Sequence, residues 1–178
     1  QRNIHLILDE SFVDFSEKSV ENTLLKNEVL ETYPHLTVIK SISKSYGVPG
    51  LRLGIAASSD KEIISYLRKN MAIWNINSFA EFYLQIYSKY NNDYQNACKK
   101  FIAERQRFFE VLQQVDFLRV IPSQANYFLC EVTSRFSSTK LVSLLLEHNL
   151  LLKDCSTKTG FNGKIYIRIA IRDTEDNN

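Results

Sequence analysis

Apolar residues change their period several times along this chain, and each change marks an element. Residues 4 to 8, Ile-His-Leu-Ile-Leu, form a short apolar run closed by Asp9-Glu10. That pattern predicts a buried parallel strand with acidic groups at its tip. Val20, Leu24, Leu25, Val29 and Leu30 recur at helical spacing and stop before Pro34. They predict one amphipathic helix over residues 20–32, leading into a strand from Leu36 to Ile42. Beyond a polar loop around Lys44, Leu51 to Ala57 reads as a further strand, and Asp60 as the cap of a helix ending near Asn70. Strands alternating with helices argue for an α/β fold with a mostly parallel sheet.

From Ser78 to about Val115 the helical period persists, with Asn91-Asn92-Asp93 as the expected break between two helices. Strands are then expected near Phe117 to Ile121 and Tyr127 to Val132, and a helix near Thr139 to Asn149. A Gly160 to Gly163 turn leads into a last strand from Lys164 to Ile171, where Ile165, Ile167, Ile169 and Ile171 alternate with other residues. The expected organisation is a large α/β domain over residues 1–77, a helical connector over 78–115, and a small α+β domain over 116–178.

Composition narrows the functions. With 178 residues, 44% of them hydrophobic, the chain has enough apolar material for a buried core. Twenty-two basic against 20 acidic residues leave a formal charge of +2, which gives no electrostatic footprint for nucleic acid or an acidic membrane. Cys98, Cys130 and Cys155 have no CxxC spacing, so neither a disulfide framework nor a zinc site is implied, and a reducing cytoplasm fits best. No apolar run is long enough to span a membrane. The chain opens on Gln1 almost directly into a strand, and it ends in an acidic turn, Asp173 to Asn178, resembling a helix start. Both ends are therefore expected to be truncations of something longer.

The densest chemistry is Ser41-Ile42-Ser43-Lys44-Ser45-Tyr46-Gly47-Val48-Pro49-Gly50-Leu51-Arg52-Leu53-Gly54. Hydroxyls from Ser41 and Ser43 and the planar fork of Arg52 suit the oxygens of a phosphate, and glycines let the backbone approach it. Lys44 stands among them, flanked by the cations Arg52 and Lys40. Partly desolvated, it is suited to condense with an aldehyde. Upstream, Leu8-Asp9-Glu10-Ser11-Phe12 places a carboxylate at a strand tip. Downstream, Tyr166-Ile167-Arg168-Ile169-Ala170-Ile171-Arg172 puts arginines in an isoleucine-rich strand, where a buried guanidinium needs an anionic partner. Trp74, Phe79, Phe82, Tyr83 and Tyr87 fall at helical spacing and read as core or subunit contacts. His5, His35 and His148 are scattered and form no metal site.

The lysine stretch resembles the signature of fold-type I pyridoxal-phosphate enzymes, in particular histidinol-phosphate aminotransferases and threonine-phosphate decarboxylases. Their pattern is hydroxyl, any residue, hydroxyl, Lys, followed by G-x-x-G-L-R-x-G. The Asp9 segment resembles the D-E-A-Y of the same families. The segment from Pro122 to Phe128 resembles P-S-x-A-N-F, and Leu152 to Cys155 resembles an R-D-C segment.

The resemblance implies a C-terminal part of the large pyridoxal-phosphate-transferase-like domain, followed by the small domain. It implies pyridoxal 5'-phosphate held as a Schiff base on Lys44, with its phosphate on Ser41, Ser43 and Arg52. Asp9 would lie at the pyridine nitrogen, where a protonated ring draws electrons from the substrate's α-carbon. Phe12 stands where the family usually has a tyrosine; it packs beside the ring without donating to it. Arg168 would grip the substrate carboxylate, and Asn126, with Lys153, would orient substrate. Amino-acid and keto-acid substrates and a homodimer are implied as partners. The expected reaction is transamination. A threonine-phosphate-type decarboxylation is the alternative, favoured by Phe12 and Arg172. A third reading is a catalytically silent dimerisation module. The family's N-terminal portion has no counterpart in the sequence, so the isolated chain is expected to bind the cofactor weakly, with negligible turnover.

Overall fold

The computed structural model describes residues 4–178. The chain divides into two compact units between Cys98 and Lys99. Within the first, strand β1 (Leu6–Asp9) pairs in parallel with β2 (Leu36–Ser41), Leu6 opposite Leu36 and Asp9 opposite Ile39. Strand β3 (Gly54–Ala57) runs antiparallel on the other side of β2. The three-stranded sheet therefore has mixed pairing, in the order β1-β2-β3. Leu36 and Val38 of the central strand are buried. The expectation of a buried first strand is not met: Leu6 and Ile7, which point to opposite faces, are both exposed, so neither face of β1 is covered at these positions by the described residues.

The helix expected over residues 20–32 is two short ones, α1 (Ser19–Asn22) and α2 (Asn27–Thr32). The reason lies in the buried Glu10. Its carboxylate accepts from the Thr23 hydroxyl at 2.7 Å and from the Leu24 amide at 2.6 Å, so the Leu24 amide is diverted from the helical ladder, while the Thr23 amide still donates to the Ser19 carbonyl. The strand expected from Leu51 begins only at Gly54. Pro49 opens a short 3-10 turn, Pro49–Leu51, and Arg52 follows it in the left-handed region at φ 54°. Helix α3 (Lys61–Asn70) starts at Asp60, whose carboxylate accepts from the amides of Glu62 and Ile63. Asn77 caps α4 (Ser78–Ile86). A 3-10 segment, Tyr87–Tyr90, then makes the break expected a few residues later, and Asn91 opens α5 (Asn91–Leu112).

The second unit contains β4 (Leu118–Ile121), β5 (Tyr127–Val132), α6 (Ser138–Glu147), β6 (Lys153–Asp154) and β7 (Tyr166–Ala170). The strands form an antiparallel sheet ordered β4-β5-β7-β6. The two-residue period decides its inner face. Phe128, Cys130 and Val132 of β5 and Ile167 and Ile169 of β7 pack with Phe108 and Leu112 of α5 and Leu141 of α6. Burying a side chain such as Phe128 contributes roughly 1.5–3 kcal/mol. At the C-terminal end, Asp173 accepts from the Asp176 amide at 2.9 Å, as a helix cap does. The buried Asn177 donates to Glu104 at 2.8 Å and to the Arg172 carbonyl at 3.0 Å, so this acidic turn is fastened to its unit.

Candidate active site

The strand-tip carboxylate is tightly organised. Asp9 Oδ1 accepts from the Ser11 amide at 2.8 Å and from the Ser11 hydroxyl at 2.5 Å. These bonds hold its pKa below the ordinary carboxylate range, the hydroxyl contributing most, and the positive charge of Lys44 adds to the effect. Asp9, at the tip of β1, thus feels the charge of Lys44, in the turn after β2, as the smallest of these influences.

The serine-lysine turn grows out of the end of β2. Ser41 lies opposite Gly54, where an added Cβ would stand 3.2 Å from the Lys40 carbonyl, so glycine permits the close pairing that brings the two ends of the turn together. The Ile42 amide donates to the Leu53 carbonyl at 3.2 Å, which continues that pairing. Ser41 Oγ accepts from the Ser43 amide at 3.3 Å. The Ser43 hydroxyl is buried without a hydrogen-bond partner in a residue only 5% exposed. An unsatisfied buried donor is costly, and an anion oxygen is the acceptor it lacks. This orphaned hydroxyl, next to Lys44, fits a phosphate-bearing cofactor.

Two expectations here need correction. Lys44 is exposed rather than desolvated, because the turn lies at the open rim of the three-stranded sheet; its Nζ sits 4.3 Å from the centroid of the Phe12 ring. Lys40 is not a free flanking cation: its Nζ is 2.6 Å from Asp14 Oδ1, in a pair whose two side chains are almost wholly buried. Arg52 is exposed, and its guanidinium donates to the Pro49 carbonyl at 3.2 Å, on its own loop.

Behind the turn, Tyr46 stacks on Tyr94 with ring centroids 4.0 Å apart, and its hydroxyl meets that of Tyr87 at 3.0 Å. Burial pushes the Tyr46 and Tyr94 hydroxyls well above their ordinary range, so both stay neutral. Tyr46 lies inside the motif and Tyr87 among the helically spaced aromatics, but no local pattern marks Tyr94 as their partner. Trp74, 92% exposed, and Phe79 and Phe82, also exposed, are not core residues of this unit, whereas Tyr83 packs on Ile42, Leu53 and Ala80.

In the second unit Arg168 is exposed, not buried, because the alternation of β7 sends its isoleucines to the core and Arg168 to the opposite face. Its guanidinium lies 4.9 Å from the Tyr127 ring centroid. Lys153 is directly opposite Arg168 across the β6–β7 ladder, so two cations share one face. Like charges in that register repel, and an anion between them relieves the repulsion. Arg172 lies beyond β7 and pairs with Asp176. Asn126 precedes β5 and its carbonyl accepts from the Ile171 amide at 3.0 Å. The adjoining segment is fastened by the buried Arg105, which donates to the Ala125 carbonyl and to Gln124. Arg105 escaped the sequence reading; its signal is a lone arginine on the face of α5 that carries Phe101, Phe108 and Leu112.

Among the described residues no group of histidines, cysteines or carboxylates is arranged to hold a metal ion, and no helix is long and apolar enough to cross a membrane.

A sequence model of the family described as aminotransferase class I and II matches residues 1–178. An L-serine phosphate decarboxylase of Campylobacter jejuni is 35% identical over 177 residues, which are 97% of this chain and 45% of that protein. A threonine-phosphate decarboxylase of Salmonella typhimurium is 31% identical over 176 residues, 98% of this chain and 46% of that protein. A solved histidinol-phosphate aminotransferase of Clostridium acetobutylicum matches with a TM-score of 0.86 at 29% identity, covering 96% of this chain and 50% of that one. The chain spans no more than half the length of these relatives.

Proposed function

This chain belongs to the aminotransferase class I and II family, and from that premise we propose that it carries the lysine, carboxylate and anion-binding turn of a pyridoxal 5'-phosphate enzyme. The reaction is transfer of an amino group from an amino acid, or an amino-acid-like phosphate, to a keto acid. The observation that carries this reading is the buried, unpartnered Ser43 hydroxyl next to Lys44, in the turn that follows β2, with the Asp9 carboxylate at the tip of the neighbouring strand β1.

The cofactor, when bound, supplies an aldehyde for amines and a ring that accepts electrons from the substrate's α-carbon. Lys44 contributes the amine that holds it and that afterwards takes and returns the proton at the substrate's α-carbon. Asp9, kept ionised by Ser11, holds a proton on the pyridine nitrogen. Ser43 donates its free hydroxyl to the phosphate, joined by Ser41 and by Arg52 once its guanidinium leaves the Pro49 carbonyl. Phe12, which packs against the Lys44 side chain, would lie beside the bound cofactor without donating to it. In the second unit Arg168 and Lys153 bind an anionic group of the substrate, carboxylate or phosphate, and Asn126 orients it. Assembly as a homodimer belongs to the same reading, supported by the exposed Trp74, Phe79 and Phe82.

Decarboxylation of a phosphorylated amino acid is the second reading. Phe12 favours it, since it gives the ring no hydroxyl where aminotransferases usually have one, and so do the two decarboxylase relatives. Product analysis separates the readings. With the chain in excess over isotope-labelled O-phospho-L-threonine or histidinol phosphate, and pyridoxal 5'-phosphate and a keto acid present, transamination yields a new amino acid. Carbon dioxide without a new amino acid selects decarboxylation. Neither product, from a chain whose Lys44 is shown by borohydride trapping to carry the cofactor, contradicts both.

A further inference from the structure

Resting on the reading of Asp9 as the partner of the cofactor ring, we propose that Ser11 is a positioning residue whose hydroxyl ties the Asp9 carboxylate to the start of the Lys44 turn. Ser11 is 4% exposed, and its hydroxyl is used in both directions. The proton goes to Asp9 Oδ1 at 2.5 Å, and a lone pair accepts from the Ser41 amide at 3.0 Å.

The strand register explains why a side chain is needed there. The parallel β1–β2 ladder continues one step past Asp9, where the Glu10 amide donates to the Ile39 carbonyl at 2.8 Å. The next bond of a parallel ladder would run from the Ser41 amide to the Glu10 carbonyl. That carbonyl is taken by the Val13 amide at 3.0 Å, because the chain turns away into a 3-10 segment at Val13–Phe15. The Ser11 hydroxyl therefore supplies the acceptor that the ladder loses. One atom then fixes two things: the orientation of the Asp9 carboxylate, and the backbone from which Ser41, Ser43 and Lys44 project. Alanine, which the D-E-A-Y pattern has at this position, offers neither bond, so this chain has a link that the pattern itself does not contain.

Carboxyl carbon-13 and amide NMR on the cofactor-free chain test this. In Ser11→Ala the Asp9 titration midpoint rises toward its ordinary value of 3.8, and exchange of the Ser41 amide proton speeds up about five-fold, as expected for one lost hydrogen bond. Ser11→Thr keeps the hydroxyl and restores both. The wild type carries an independent test should Ser11→Ala fold poorly: the Ser41 amide shift must titrate with the Asp9 midpoint, since the hydroxyl connects them. Unchanged Asp9 titration in Ser11→Ala, or a Ser41 amide indifferent to Asp9 in the wild type, overturns the proposal. These readouts need no cofactor. If they fail while Lys44 still takes up pyridoxal 5'-phosphate selectively, only the Ser11 link is lost; if they succeed and Lys44 does not, the cofactor reading falls instead.

Discussion

The Lys44 ammonium rests 4.3 Å from the centre of the Phe12 ring, so the one aromatic residue of the strand-tip segment is in contact with the one lysine of the serine-rich turn. A cation at this distance from an aromatic face is attracted by about 0.5–1 kcal/mol where solvent has access. A double-mutant cycle on Phe12→Leu and Lys44→Met, read by urea unfolding, should give a coupling energy of about that size. Strictly additive effects would show that the two side chains do not hold each other.

Asp14 and Lys40 form a buried ion pair that joins the 3-10 segment after β1 to the C-terminal end of β2. Removing one partner leaves the other charge buried and uncompensated. Lys40→Met is expected to cost about 3–5 kcal/mol of stability, while pairing it with Asp14→Leu should recover much of the loss. Midpoints of denaturant unfolding for the three variants check this ordering.

Glu104 sets an acid limit on the second unit. Hydrogen bonds from Arg107 above all, then from Asn177 and Thr174, pull its pKa from the ordinary 4.5 down to about 2. A carboxyl depressed in the folded state adds stability above its unfolded value and loses it as pH falls through the folded one. The melting temperature should therefore decline between about pH 4.5 and about pH 2, and Glu104→Gln should flatten that decline. An equal slope in the variant would assign the acid sensitivity elsewhere.

Arg168 and Lys153 face each other as two cations on one sheet face. Inorganic phosphate should stabilise the chain to heat, and either Arg168→Ala or Lys153→Ala should remove most of that gain. Stabilisation by phosphate that survives both substitutions would place its binding elsewhere, the Ser43 turn being the first candidate.

Much of the fold was legible because its strands carry a clear period. The Ile167 and Ile169 alternation located β7, and Asp60 located the start of α3. What escaped the sequence depends on contacts between distant positions. Nothing in residues 20–32 announces that Glu10 will capture Thr23 and Leu24 and split the helix. Apolar runs likewise do not show whether other elements cover the faces of a strand, which is why Leu6 and Ile7 were expected inside.

The site was legible as a motif but not as an arrangement. Residue types at fixed spacing named Lys44, Asp9, Ser41, Ser43 and Arg52. The environment of each was not encoded locally: Lys44 is exposed, Lys40 is neutralised by a residue 26 positions away, and the hydroxyl that fixes Asp9 belongs to Ser11. Arginines in an isoleucine-rich strand suggested burial, yet the period of the strand turns Arg168 outward.

The central claim is that Lys44 is the amine set apart for the cofactor. Its most direct test is reduction of the chain with borohydride in excess pyridoxal 5'-phosphate, followed by peptide mapping by mass spectrometry. The phosphopyridoxyl group should fall predominantly on Lys44, and Ser43→Ala should reduce it there without changing the faint labelling of exposed lysines such as Lys61 and Lys69. Labelling spread evenly over the exposed lysines, with Lys44 no more reactive than Lys61, would contradict the account.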